Sequence, residues 1–227
     1  MRASRNLSSA EGKHLCYHGG MYTPPHFKEE RPEALHAFIR QHGFGLLISP
    51  GPQGLEATHV PFLLDTEGGG TGRLLAHLSR ANRQWQHLEA AGEVLAVFSG
   101  PHAYISASWY TERTDVPTWN YVAVHAYGRA RLVEPGRVRP MLAQLSGKYE
   151  APSAAPWSLG EVPEASLQAM TKGIVGIEIE LTRLQGTRKL SQNRSPEDQQ
   201  RVIQELKARG GPDDLAVAAL MEQAPSP

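Results

Sequence analysis

The segment at positions 94–124, VLAVFSGPHAYISASWYTERTDVPTWNYVAV, concentrates side chains that suit the binding of a flat, polar ring. It combines aromatic rings, small hydroxyls and an amide, namely Tyr104, Tyr110, Tyr121, Trp109, Trp119, His102, Ser106, Ser108 and Asn120. Rigid aromatic bodies with polar tips are typical of the walls of ligand sites. The same residues could instead form cross-strand pairs in a barrel wall. Spacing alone leaves both interpretations open.

The motif HLSRANRQW, at positions 77–85, offers donors for an anion. Arg80 can form forked, charge-assisted hydrogen bonds to a phosphate, and Ser79 and Asn82 add neutral donors. The alternative is an ordinary helix cap at Ser79 followed by a solvated helix. The motif is neither a Walker loop nor a GxGxxG dinucleotide fingerprint.

A second polar motif, KLSQNR at positions 189–194, contributes Lys189, Gln192, Asn193 and Arg194. These side chains precede Ser195, which is the predicted cap of a helix, so they could hold a ligand or form a solvated loop.

The ten histidines do not form a recognisable metal motif. His59, His77, His102 and His125 lie on different segments, and there is no HExxH pair. No G-x-S-x-G elbow marks a nucleophile either. The sequence therefore predicts no metal site and identifies no catalytic residue.

Composition narrows the class of protein. The 227 residues carry 23 basic and 23 acidic side chains, so the net charge is zero and a non-specific nucleic-acid coat is not expected. Cys16 is the single cysteine, which excludes an intrachain disulfide and favours a reducing, cytoplasmic location. No apolar run is long enough to span a membrane.

Hydrophobic periodicity predicts an ordered series of strands and helices. Strands are expected at 44–49, 55–65, 73–78, 94–99, 104–110, 119–134, 174–186 and 188–191. Helices are expected at 33–42, 81–92, 136–150 (shortened or kinked by Pro140), 164–172, 196–207 and 213–223. Short, hairpin-linked strands favour a closed antiparallel β-barrel with peripheral helices, a mainly β fold. Residues 1–20 are expected to be a disordered leader and residues 21–227 a single domain.

Several motifs resemble the PaiB-type family of FMN-binding negative transcriptional regulators. They are MYTPPHF (21–27), EATHVPFLLD (56–65), HLSRANRQW (77–85), VFSGPHAYISASWY (97–110), VPTWNYVAVHAYG (116–128), IVGIEIE (174–180) and KLSQNR (189–194). The resemblance covers the chain from Met21 to about Met221, and several of the motifs are long and unusual.

The resemblance implies an FMN-binding split β-barrel that works as a homodimer with flavin at the subunit interface. It implies that Ser79, Arg80 and Asn82 hold the FMN phosphate, and that His59 lies at the edge of the isoalloxazine ring. Thr118, Trp119 and Asn120 would approach the flavin from the same or the second chain. Lys189, Gln192, Asn193 and Arg194 would lie near the ring.

Three functions follow from the residues and the resemblance together. The first is a flavoprotein with a regulatory role, acting through its redox state or a partner. The second is a flavin- or haem-linked oxidoreductase, in which the chemistry of the ring belongs to the cofactor. The third is a DNA-binding repressor, which the sequence does not support because helix 196–208 mixes basic and acidic residues and no basic recognition helix is present.

Overall fold

The computed structural model describes residues 19–112 and 114–223. Its strands are β1 (Lys28–Glu29), β2 (Phe44–Gly51), β3 (Gly54–Pro61), β4 (Leu63–Asp65), β5 (Arg73–Ser79), β6 (Val94–Ile105), β7 (Thr118–Leu132) and β8 (Ile174–Lys189). Its α-helices are α1 (Pro32–Gln41), α2 (Pro135–Glu150), α3 (Glu164–Thr171), α4 (Pro196–Arg209) and α5 (Pro212–Gln223). Short 3₁₀ helices cover Pro25–Phe27, Arg83–Gln86, Ala107–Trp109 and Leu159–Glu161.

The strands form one antiparallel sheet in the order β3-β2-β6-β7-β8-β5-β4, and β1 pairs with β8. The strands at the two ends of this order, β3 and β4, are separated in sequence only by Phe62. The segment at 54–65 therefore pairs with β2 along its first half and with β5 along its second half, which joins the two edges of the sheet. The predicted mainly β, split-barrel fold is confirmed.

The barrel interior is filled by one side of each long strand. Leu47, Ala96 and Ala126 occupy matched register positions and are fully buried. The rings of Phe62 and Phe98 belong to the same core and pack edge to face, with their centroids 5.3 Å apart. Because side chains alternate along a strand, the next residue of each strand faces outward.

Helices cover parts of this barrel. Leu35 and Ile39 of α1 pack into the barrel core. In α2, Val138 and Met141 pack on Leu75 of β5. The pair α4–α5 builds a second core against β6 and β7.

The predicted helix over 81–92 is wrong, since only Arg83–Gln86 is helical, as a 3₁₀ turn. The Gln84 side chain is buried, and its amide nitrogen donates to Ser49 Oγ at 3.0 Å. Thr58 Oγ1 donates to Gln84 Oε1 at 2.6 Å. Hydrogen bonds inside the barrel thus replace those of a longer helix.

The predicted strand over 104–110 ends early, at Ile105. Ser106 Oγ accepts a hydrogen bond from the Ser108 backbone N–H and starts a 3₁₀ turn. This turn buries Tyr110, which is 1% exposed, instead of continuing the alternation.

Other boundaries also differ. The two predicted strands at 174–186 and 188–191 are one strand, β8, because β7 pairs with it almost throughout. The predicted strand at 55–65 is interrupted at Phe62, whose N–H donates to the Gly43 carbonyl at 2.7 Å. Helix α2 continues through Pro140.

The predicted leader lies outside the described residues up to position 18. The Arg183 guanidinium donates to the Gly19 carbonyl at 3.3 Å, and the Met21 N–H donates to Gln185 Oε1 at 2.8 Å. In the part of the chain described, no helix is both long and apolar enough to cross a bilayer. The same residues contain no group of three His, Cys, Asp or Glu side chains placed to hold a metal ion.

Candidate functional site

Arg80 lies immediately after β5, and its position is fixed by the start of β8. Its backbone N–H donates to the Gly173 carbonyl at 2.8 Å. Its side chain donates through Nε to the Lys172 carbonyl at 2.8 Å and through Nη2 to the Ile174 carbonyl at 3.1 Å. These bonds hold the guanidinium in one place at the barrel surface.

A cavity of about 540 Å³ opens beside Arg80. Thr171 and Lys172 line it with Arg80, and Trp85, Leu132 and Ile174 supply apolar surface. The Arg80 guanidinium lies 5.8 Å from the centre of the Trp85 ring. This volume and this mixture of surfaces are typical of small-molecule sites.

His59 and Asn82 lie at the same edge of the barrel. Asn82 Nδ2 donates to Thr58 Oγ1 at 2.9 Å, and Asn82 Oδ1 accepts from the Gln84 N–H at 3.0 Å. His59 follows Thr58 on β3, so its backbone lies beside Asn82 while its side chain faces the opposite side of the strand. Ser79, Arg80 and Asn82 thus lie together at the end of β5, with the backbone of His59 nearby, and we call these four residues the phosphate-side group.

The local environment of these residues differs. The His59 ring is exposed and stacks on Phe44, with centroids 5.9 Å apart and planes 16° apart. Ser79 is exposed, and its Oγ accepts from the Ala81 N–H at 3.3 Å. Asn82 caps the 3₁₀ turn and links it to β3, so its amide has a structural role in this chain.

The other predicted residues lie at the ends of β7 and β8. The Lys189 ammonium donates to Thr118 Oγ1. Burial lowers the pKa of Lys189, and the neighbouring positive charge of Arg194 lowers it further. Gln192 Oε1 accepts from the Leu190 N–H at 2.7 Å, while Asn193 is exposed. We call Thr118, Trp119, Asn120, Lys189, Gln192, Asn193 and Arg194 the ring-side group.

Asn120 is fully buried. Its Nδ2 donates to Ser191 Oγ at 2.9 Å, and Ser191 adopts a left-handed backbone with φ of 64°. A left-handed conformation is uncommon for a residue other than glycine, so this hydrogen bond stabilises the turn after β8. In this chain Asn120 supports the backbone and has no exposed surface.

Trp119 is the exposed aromatic residue of the ring-side group. It is 51% exposed, and its ring centre lies 6.0 Å from His102 and 5.9 Å from Tyr104. A mainly apolar cavity of about 340 Å³ is lined by His102, Trp119 and Tyr121. This surface can accommodate a flat ring.

The two groups lie at opposite ends of β8. Ser79 pairs with Ile174, the first residue of β8, and Lys189 is the last of its 16 residues. At about 3.3 Å per residue, the ends of β8 are separated by about 50 Å along the strand. The cavity beside Arg80 and the cavity beside Trp119 share no lining residue, so within one chain the two groups lie at separate sites.

Side chains of β2, β6 and β7 that face away from the barrel core form a mostly apolar, partly buried sheet face. Its register rows run from Leu46 through Val97 to His125, and from Ile48 through Leu95 to Tyr127. Burial lowers the pKa of His125. We call this surface the open face.

Sequence reasoning missed Thr171 and Lys172 as possible ligands. They precede β8 as the tripeptide TKG, and the Arg80 contacts bring them beside HLSRANRQW. The sequence signal that could have identified them is a hydroxyl residue followed by a basic residue, just before the glycine that precedes the strand.

The donor set beside Arg80 fits the phosphate of FMN. Two cations, Arg80 and Lys172, line this cavity with the Thr171 hydroxyl and the carboxylates of Glu89 and Glu134, and Ser79 directly precedes Arg80. Charged and hydroxyl donors together are the groups that hold a phosphate dianion. Trp85 adds an aromatic surface at the same cavity.

Sequence and structure comparisons agree with this chemistry. Residues 21–183 match the family described as "Putative FMN-binding domain". The chain is also 37% identical over 202 residues to the Protease synthase and sporulation protein PAI 2 of Bacillus subtilis (strain 168). That alignment covers 89% of this chain and 97% of the relative.

Solved structures share the fold. The FAD and heme binding protein from Mycobacterium smegmatis superposes with a TM-score of 0.53 at 12% identity, covering 81% of this chain and 80% of that chain. The flavocytochrome Anf3 from Azotobacter vinelandii gives a TM-score of 0.53 at 12% identity, covering 71% and 69%. At this identity the likeness concerns the fold alone. The matched family and the Bacillus relative show that this chain belongs to the PaiB-type family of FMN-binding proteins, with FMN as its cofactor.

Proposed function

We propose that this FMN-binding protein acts in negative transcriptional regulation as a homodimer, with each flavin held between two copies of the chain. The phosphate-side group of one copy and the ring-side group of the other would then meet at one flavin.

The observation that carries the dimer is the separation of the two groups along β8. A flavin that needs both groups requires a second chain, because one chain holds them at opposite ends of a 16-residue strand. The open face carries Leu46, Ile48, Leu95 and Val97 at half-buried positions. Contiguous apolar surface of this kind is typical of protein interfaces, and in a two-fold symmetric dimer both copies would contribute the same surface.

The roles of individual residues follow from their chemistry. Arg80 and Lys172 would bind the phosphate by charge, and Ser79 and Thr171 by hydrogen bonds. Trp119 of the second copy would contact the ring. Bound FMN supplies one- or two-electron redox chemistry, and the protein supplies orientation and electrostatics.

The regulatory part of the proposal is supported by the name of the Bacillus relative, which refers to protease synthase and sporulation. Direct reading of DNA has less support. Helices α4 and α5 follow each other through Gly210 and Gly211, but the first turn of α5 carries an exposed Asp213, while Asp214 is paired with Arg209. Acidic side chains at a helix start repel phosphates, so we propose that regulation depends on the flavin or on a partner protein.

A flavin- or haem-linked oxidoreductase is the second candidate. His102 lies at the apolar cavity beside Trp119, with its side chain 57% exposed, and histidine is the common axial ligand of haem.

An absorption spectrum of the purified protein, followed by FMN titration and sedimentation, tests the proposal. Flavin bands, saturable FMN binding and a dimer support it. A haem Soret band supports the second candidate, and a protein that binds no FMN would overturn both the dimeric flavin site and its residues. Transcript profiles of a deletion strain complemented with wild type or Arg80→Ala test the regulatory role. Equal repression by a flavin-free variant would contradict a flavin-linked regulator.

A further inference from the structure

The C-terminal segment 189–209 contacts a stretch that carries two exposed aromatic residues, Tyr104 and Trp119. We call this stretch, residues 104–112 and 114–120, the aromatic segment. Segment 189–209 lies beyond the matched residues 21–183.

Arg194 makes the central contact. Its guanidinium pairs with Asp115 and lies 4.4 Å from the centre of the Tyr110 ring. The Arg194 side chain is 20% exposed and the Asp115 side chain 43%. Arg194 thus binds the aromatic segment through both its charge and its flat face.

Further along α4, other side chains bind the start of the aromatic segment. Asp198 Oδ1 accepts from the Thr111 backbone N–H at 2.7 Å and from the Thr111 hydroxyl at 2.8 Å. Arg201 Nε donates to the Trp109 carbonyl at 2.9 Å, and Arg209 Nη1 donates to the Tyr104 carbonyl at 3.1 Å.

The end of the aromatic segment is held from β8. Lys189 donates to Thr118, the residue before Trp119. Ser191 shares a hydrogen bond with the buried Asn120, the residue after Trp119. Trp119 itself is 51% exposed, so its neighbours rather than its own packing determine its position.

These contacts matter because the backbone has little regular structure there. Residues 111, 112 and 114–117 lie outside any helix or strand. A segment without a hydrogen-bond ladder keeps its conformational entropy unless side chains restrain it. The restraints come from segment 189–209.

We propose that Lys189 and Arg194 are positioning residues, which hold the aromatic segment so that Trp119 and Tyr104 present a fixed surface to the flavin bound by a second copy. This inference rests on the proposed function. In this role Lys189 and Arg194 act on the flavin through the aromatic segment that both side chains bind, and not by direct contact with the ring.

Fluorescence of bound FMN tests the positioning role, since an indole in contact with a flavin quenches its emission. Trp119→Phe should raise the emission of bound FMN. Arg194→Ala should raise it as well and weaken FMN affinity about three- to tenfold. Asp115→Asn should reproduce the effect, and Arg194→Lys should restore part of it. In a Trp119→Phe background, Arg194→Ala should cause no further rise in emission.

Lys207→Ala is the matched control, because Lys207 pairs with Glu222 at 2.6 Å on α4 and α5, without contacting the aromatic segment. It should leave emission and affinity unchanged. Hydrogen exchange of residues 106–112 and 114–120 should become faster in Arg194→Ala and in Asp115→Asn, but not in Lys207→Ala. Melting temperature and sedimentation confirm that each variant is folded.

The outcomes separate this inference from the proposed function. A wild type that binds FMN while Trp119→Phe leaves its emission unchanged would overturn the inference and leave FMN binding intact. Unchanged emission and exchange in both Arg194→Ala and Asp115→Asn would also overturn it. A wild type that binds no FMN would overturn the proposed function together with the inference.

Discussion

Arg80 and Lys172 are joined directly, because Arg80 Nε donates a hydrogen bond to the Lys172 backbone carbonyl at 2.8 Å. The two residues are 92 positions apart in the sequence. The bond places two cations at one cavity and connects the end of β5 to the start of β8. Phosphate binding and the integrity of this junction therefore depend on the same side chain.

Arg80→Ala should lower FMN affinity by about ten- to a hundredfold, because charge-assisted hydrogen bonds contribute about 1.5–3 kcal/mol. Lys172→Ala should act in the same direction. Arg80→Lys should be intermediate, since it keeps the charge and loses the fork that binds the Lys172 and Ile174 carbonyls. Isothermal titration with FMN measures all three variants.

Lys207→Ala, remote from the cavity, is the control for a general loss of positive charge. Equal FMN affinities of wild type and Arg80→Ala would place the phosphate elsewhere. If Arg80→Ala lowers the melting temperature but leaves FMN affinity unchanged, Arg80 stabilises the β5–β8 junction and does not bind the phosphate.

Val97→Asp should convert the dimer to a monomer and reduce FMN binding. Val97 lies in the middle of the open face, between Leu46 and His125, where a carboxylate would lose its hydration in an interface. Sedimentation velocity with and without FMN measures the change. Met170→Asp, on the exposed surface of α3, should remain dimeric. A wild type that is monomeric and binds FMN tightly would contradict the interface site.

Acidification should destabilise the protein through buried histidines. Burial lowers the pKa of His42, His77 and His125 below the usual value of 6.5. The unfolded chain then binds protons that the folded chain does not, so this contribution is present above pH 6.5 and decreases as pH falls below it. Each such histidine changes the free energy of unfolding by at most about 1.4 kcal/mol per pH unit.

Urea unfolding at pH 7.5 and pH 5.5 measures this dependence. His77→Gln should weaken it, because the replacement cannot take up a proton. His26→Gln, at an exposed position, is the control. An unaltered pH dependence in His77→Gln would show that His77 ionises equally in the folded and unfolded chains.

Specific DNA binding by the isolated protein should be weak, with a shallow dependence on salt. The net charge of zero leaves few counterions to be released, and α5 presents Asp213 at an exposed position. Electrophoretic mobility shifts over a range of salt concentrations measure affinity and slope. A sequence-selective complex with nanomolar affinity at physiological salt would instead support a repressor that binds DNA directly.

Local sequence signals were sufficient for most of the fold. The apolar run at 94–99 and the long strand pattern at 119–134 predicted most of β6 and β7. Ser195 caps the start of α4 and Gly210 caps its end, and each acts through contacts within a few positions. The family motifs are likewise local, so the resemblance identified family and cofactor before any geometry was available.

Tertiary structure decided what those motifs contact. HLSRANRQW has a helical composition, but hydrogen bonds from Gln84 to β2 and β3 inside the barrel leave only a 3₁₀ turn. Arg194 pairs with Asp115, which is 79 residues away, and this partner depends on how α4 packs on the barrel.

The sequence by itself determined the strands, the helix caps, the family and the residue types suited to a flavin. Only the tertiary structure decided that these residues form two groups at opposite ends of β8, and that Lys189 and Arg194 face the protein's own aromatic segment. The physical reason is that periodicity and capping are properties of neighbouring residues. Strand order and long-range ion pairs depend instead on how distant segments pack together.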